Sequence, residues 1–73
     1  MTIPLVFAEV NKNFTIKNIT GSSKAKSELV EKGFYVGKKI SLIKSLDNNF
    51  LVNMENCQYV LGFGFAKNIM IEC

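Results

Sequence analysis

Six carboxylates are the side chains of this sequence best suited to moving a proton or holding a metal: Glu9, Glu28, Glu31, Asp47, Glu55 and Glu72. They are scattered along the chain. Only Glu28 and Glu31 stand three residues apart, one helical turn, and Glu28 also precedes Lys32 by four, the favourable spacing for an ion pair. There is no His, so the usual general base and the commonest metal ligand are both missing. All nine basic residues are Lys and none is Arg. A transition-metal site would want His and carboxylates in a cluster, and none is spelled here. Neither an enzyme nor a cofactor is expected, and no metal site.

Two cysteines, Cys57 and Cys73, offer thiol chemistry. Their spacing suits no zinc motif, and no His completes one. A single bridge is a poor framework for a small secreted protein. Two reduced thiols are expected, one packed in a strand and one at the chain end. A terminal Cys is not a prenylation box, which needs three residues after it. The run Gly62-Phe63-Gly64-Phe65 suggests a phosphate loop, yet it lacks the Gly-Lys-Ser or Gly-Lys-Thr ending and no helix is expected after it. It reads better as a strand bending tightly to close a barrel, with Phe63 or Phe65 capping the core.

The lysines Lys24, Lys26, Lys32, Lys38 and Lys39 gather around one helix and the turn after it. The ordinary reading is a solvated helix face. The functional reading is a patch that meets an acidic partner or a nucleic-acid backbone. The absence of Arg removes the residue best fitted to bidentate phosphate and guanine contacts. A net charge of +3 is also too small to hold nucleic acid by charge alone.

The elements that must position these groups are short. Residues 5–8 form an apolar run that reads as a strand after Pro4. Asn11, Lys12 and Asn13 make a turn cluster. Residues 14–17 alternate as a half-buried strand, and Ile19 falls out of phase, so a bulge or strand end is expected near Asn18. Ser22 or Ser23 caps a helix over residues 24–32, with Ala25 and Leu29 on one face and Val30 beside them. Gly33 ends it, and Leu29 and Phe34 occupy the two positions that touch in a Schellman cap. Residues 35–38 fit a type II turn with Gly37 third. A strand over 39–46 follows, with Ile40, Leu42 and Leu46 in one phase. A loop at 47–49 leads to a strand carrying Phe50, Val52 and Met54 on one face. Glu55-Asn56 is a two-residue turn. A strand over 57–63, a turn over 64–68 and a short strand over 69–71 complete the chain.

Five or six short strands and one helix in 73 residues favour a small bent barrel over a sandwich, which needs about 100. The core is small, and no large enclosed active site fits. With 48% hydrophobic and 21% charged residues, the chain is globular. The N-terminus has no basic region and Glu9 cuts its apolar run, so it is not a signal peptide. The longest uncharged stretch, residues 56–66, falls far short of the roughly 20 apolar residues of a membrane span. A cytoplasmic protein without direct membrane insertion is the expectation.

Leu29, three residues, Gly33-Phe34, two residues and Gly37, followed by the alternating strand from Ile40, resemble the centre of the FeoA family of bacterial ferrous iron uptake. Pro4-Leu5 with Ala8 resembles the family's first strand. Tyr59-Val60-Leu61-Gly62, followed by Ala66, Ile69 and Ile71, resembles its closing segment. Two features depart from the pattern: Val36 stands where members often carry Pro, and the loop at 46–49 is shorter. The resemblance implies a mainly β fold: one domain over 1–73, a small SH3-like antiparallel β-barrel with one short helix between the second and third strands. It implies a cytoplasmic accessory protein without catalysis, whose partner is FeoB, a membrane permease with a cytoplasmic GTPase domain. Iron chemistry then belongs to the partner, and the link to transition metals holds at family level. A monomer is expected. Two surfaces offer themselves to the partner: Lys24, Lys32, Tyr35 and Lys38 around the helix and its C-terminal turn, and Phe63 and Phe65 in the closing segment. Tyr35 follows the inward Phe34 and so points out. The alternatives are a small nucleic-acid-binding barrel and a stand-alone sensor domain related to iron-dependent repressors.

Overall fold

The computed structural model describes residues 1–72; the expectation for Cys73 lies outside the described residues. Six strands form one antiparallel sheet: β1 (Thr2–Pro4), β2 (Asn13–Ile19), β3 (Lys39–Leu46), β4 (Asn49–Met54), β5 (Cys57–Gly62) and β6 (Ile69–Glu72). Helix α1 (Ser23–Glu31) lies between β2 and β3, as the sequence implies, and a one-turn helix α2 (Phe63–Ala66) between β5 and β6. The strand order is β1-β6-β2-β3-β4-β5. Buried hydrophobic residues come from β2 to β6, both helices, Leu5 and Phe34, and Ile3 of β1 packs against them. A single sheet can supply one cluster from so many strands only by curling around it. The ladder does not close, however: no pairing joins β1 to β5, so the closed barrel becomes a curled, open sheet.

Local chemistry explains most of the boundaries. Ser22 accepts the Ala25 N–H at 3.2 Å and starts α1. At the other end Phe34 N–H donates to Leu29 O and Gly33 N–H to Val30 O, both at 2.9 Å, the paired bonds of a Schellman cap. Gly33 has φ +96, and both Leu29 and Phe34 are fully buried. Gly37 at φ +97 sits third in the turn closed by Lys38 N–H to Tyr35 O at 3.2 Å. The β3–β4 and β4–β5 turns, Asp47-Asn48 and Glu55-Asn56, each hold two residues at positive φ, the geometry of a tight hairpin.

Five expectations need correction. The first strand ends at Pro4, and Leu5–Phe7 is a 3-10 turn. Pro4 cannot donate to a ladder, and the turn drives Leu5 into the core. Leu46 is exposed, because the β3–β4 register slips between Leu42 and Lys44 and flips the phase beyond it. A second slip, between Ile16 and Asn18, is the bulge that Ile19 requires. Residues 63–66 are helical instead of strand and turn, which sends Ala66 to the core. Cys57 begins β5 but is exposed, not packed. Lys32 is directed to an aromatic ring and not to Glu28.

Candidate partner-binding site

The Schellman cap fixes where the chain leaves α1, and with it three consecutive groups. Phe34 turns in and meets Tyr59 edge-on, with ring centroids 5.1 Å apart. Tyr35 turns out and is 44% exposed. Lys38, at the end of the turn, places its ammonium 4.9 Å from the Tyr35 ring centre and donates to Glu55 Oε2 at 2.6 Å. Its pKa is raised from the ordinary 10.5, first by the Glu55 hydrogen bond and then by Tyr35.

Two further lysines sit over rings. Lys32 at the end of α1 stands 5.4 Å from the Phe65 centroid, and Lys67 stands 5.8 Å from that of Phe63. Such contacts contribute about 0.5–1 kcal/mol each at exposed sites. The Lys32–Phe65 contact joins the two surfaces that the sequence leaves separate. Phe65 is half-buried against the core and serves as a platform for Lys32, whereas Phe63 is 46% exposed. Lys24 stands apart. It lies eight residues before Lys32, about 12 Å along the helix axis, and is exposed there. The candidate band thus consists of three Lys–aromatic pairs, Lys38 with Tyr35, Lys32 with Phe65 and Lys67 with Phe63; Phe63 and Phe65, two residues apart on one helical turn, point to different sides of it.

A second feature escapes the sequence reading. Ile3, Phe7, Glu9, Lys12 and Phe14 line an open groove of about 310 Å³. Phe7 is 74% exposed, and Lys12 pairs with Glu9 at 3.0 Å on the rim. Reading 5–8 as a strand hides Phe7. The available signal is Pro4, whose missing N–H ends the ladder and turns the next residues aside.

Among the described residues no three His, Cys, Asp or Glu are grouped to hold a metal. No helix there is long and apolar enough to cross a membrane. Gly62 does precede a helix, but α2 has only four residues and its cap carries no side-chain hydrogen bond.

A curled six-stranded sheet with one helix after its second strand defines a small domain of the SH3-like class. The FeoA domain model matches residues 3–73, and the chain belongs to the FeoA family. It is similar to the crystal structure of an iron uptake regulatory protein, FeoA, at 24% identity and TM-score 0.88, covering 99% of this chain and 96% of that one. It is also similar to the NMR structure of a FeoA-like protein from Clostridium acetobutylicum, at 19% identity and TM-score 0.86, covering 97% and 85%. A manganese-dependent transcriptional repressor in complex with manganese shares the fold at 12% identity and TM-score 0.89, covering 97% of this chain but 36% of the repressor. No curated protein sequence matches the chain. Membership ties the chain to ferrous iron transport as a small accessory domain.

Proposed function

We propose that residues 1–73 act as one module that binds the cytoplasmic region of a FeoB-type permease and biases its GTPase or assembly state. The observation that carries this reading is the FeoA match over residues 3–73. The Lys–aromatic band is the surface we assign to the contact. Exposed rings make good anchors, and the lysines around them steer association. Binding acts by favouring one of two partner states, which requires unequal affinity for them. Hydrolysis cannot be assisted by an arginine finger from this chain, because it has no Arg.

The nucleic-acid alternative is disfavoured by the same band. Lys38 and Lys67 already stand over Tyr35 and Phe63, so a stacking base must displace them. The sensor-domain alternative rests on shared fold alone.

The test is binding of the chain to the isolated cytoplasmic domain of a FeoB-type permease, and to the full permease in membranes. Binding is expected, with Tyr35→Ala and Phe63→Ala each weakening it more than Lys38→Ala. If the parent binds neither form, the adaptor reading is wrong. If the parent binds and all three variants bind equally well, the surface is wrong.

A further inference from the structure

The two edges of the sheet are built differently. The β1 edge has three residues, and its Pro4 offers no N–H. The β5 edge has six residues, Cys57-Gln58-Tyr59-Val60-Leu61-Gly62, with neither charge nor proline. Its pairing with β4 runs without a slip from Asn49↔Gly62 to Met54↔Cys57, whereas β3–β4 and β2–β6 each carry one. β5 pairs with β4 only, and no turn, cap or side-chain hydrogen bond among the described residues reaches its other side. Alternate backbone N–H and C=O groups therefore face outward unsatisfied. Val60 is 68% exposed.

We propose that this edge pairs with the same edge of a second copy of this chain, β5 antiparallel to β5, giving a weak, reversible homodimer. The strand's sequence fits its own reverse. With Val60 opposite Val60 of the second copy, Gln58 falls opposite Gly62, and Tyr59 opposite Leu61. A two-fold axis normal to the sheet keeps each pair on one face, because side chains alternate with period two. The outward face then meets apolar against apolar at the axis. On either side the long Gln58 lies beside a residue with no side chain, and a Cβ built at Gly62 meets nothing within 4 Å. The chain carries +3, yet no charge lies on the pairing strand, so no like charges meet across the ladder. A single added strand pair is a small interface, so affinity is low.

The experiment is a dilution series of the full chain followed by sedimentation and by amide NMR. The mass is expected to rise from 8.2 kDa toward twice that as concentration approaches roughly millimolar. Shift changes and slowed exchange are expected on alternate amides of β5. Val60→Lys and Val60→Glu each place like charges across the axis, and each should weaken association at least tenfold. Mixed in equal amounts, the two should associate again. Circular dichroism checks that both variants fold; the amide pattern of the parent decides independently if either does not. A mass that stays at that of one chain overturns the proposal. So does association that leaves the β5 amides unchanged, as pairing through the Phe7 groove or the Lys–aromatic band would. Failure of the charge-swapped mixture to associate also overturns it.

Discussion

Lys38 Nζ donates to Glu55 Oε2 at 2.6 Å and so ties the turn before β3 to the turn between β4 and β5, two loops that lie 17 residues apart in sequence. The contact exists only in the folded chain, so folding holds the Lys38 proton more tightly and raises its pKa above 10.5. For a raised pKa, the stabilisation is complete below the unfolded value and is lost as pH rises through the folded one. Glu55→Gln is expected to melt above Lys38→Gln, which also loses the contact with the Tyr35 ring. Glu55→Gln should also reduce the fall in stability above pH 10.5 relative to the parent, read by thermal scans from pH 8 to 11.5.

Acid acts on a second ion pair, two strands away, since Thr15 of β2 pairs with both Lys39 and Glu72. The Met1 ammonium donates to Glu72 Oε2 at 2.6 Å and holds that carboxylate below its ordinary 4.5. A lowered pKa contributes stability above the unfolded value that disappears as pH falls through the folded one. Glu72→Gln should therefore lose less stability than the parent below pH 4.5, measured by urea unfolding across pH 2–6.

The glycines of the turns should rank by what surrounds them. Gly33→Val places a β-branched residue at φ +96 and is expected to cost about 1–2 kcal/mol, lowering the melting temperature. Gly37→Ala meets backbone strain alone, since nothing lies within 4 Å of its Cβ position. Gly21→Ala meets the same strain and also the Asn68 amide, 2.7 Å from the new Cβ. That amide cannot retreat freely, because Nδ2 donates to Gly64 O at 3.1 Å. Gly21→Ala is expected to melt below Gly37→Ala.

Chemistry offers a separate check. The purified chain is expected neither to hydrolyse GTP nor to bind ferrous iron tightly, given its lack of His and Arg and its scattered carboxylates. Micromolar or tighter iron binding in anaerobic calorimetry overturns that expectation.

The helix cap, the Glu55-Asn56 turn and the bulge near Asn18 are legible in the sequence because each depends on residues a few positions apart; the loop read over 47–49 tightens to Asp47-Asn48, with Asn49 already in β4. Gly33 with Leu29 and Phe34 is the clearest case. What escapes depends on distant partners. Leu46 keeps the phase of Leu42 on paper, and only the register with β4 reveals the slip. The turn of α2 hides behind Gly64, which opposes helix in isolation; the burial of Ala66 overrides it. The candidate residues Tyr35, Lys38, Lys32 and Phe65 are recognisable singly. What escapes is that Lys32 reaches Phe65 across 33 positions of sequence, a contact no local pattern encodes.

The strand order has a kinetic consequence. β3, β4 and β5 are neighbours in the sheet and in sequence, joined by turns of two residues. The pairings of β6 with β1 and β2 instead close loops spanning most of the chain. Closing long loops costs entropy before any contact repays it, so the meander should form first and the chain ends should dock last. Folding kinetics should then show high φ-values for Val52→Ala in β4 and low ones for Ile71→Val in β6. The two ends of the chain, joined through β1 and β6, would open ahead of the rest of the molecule.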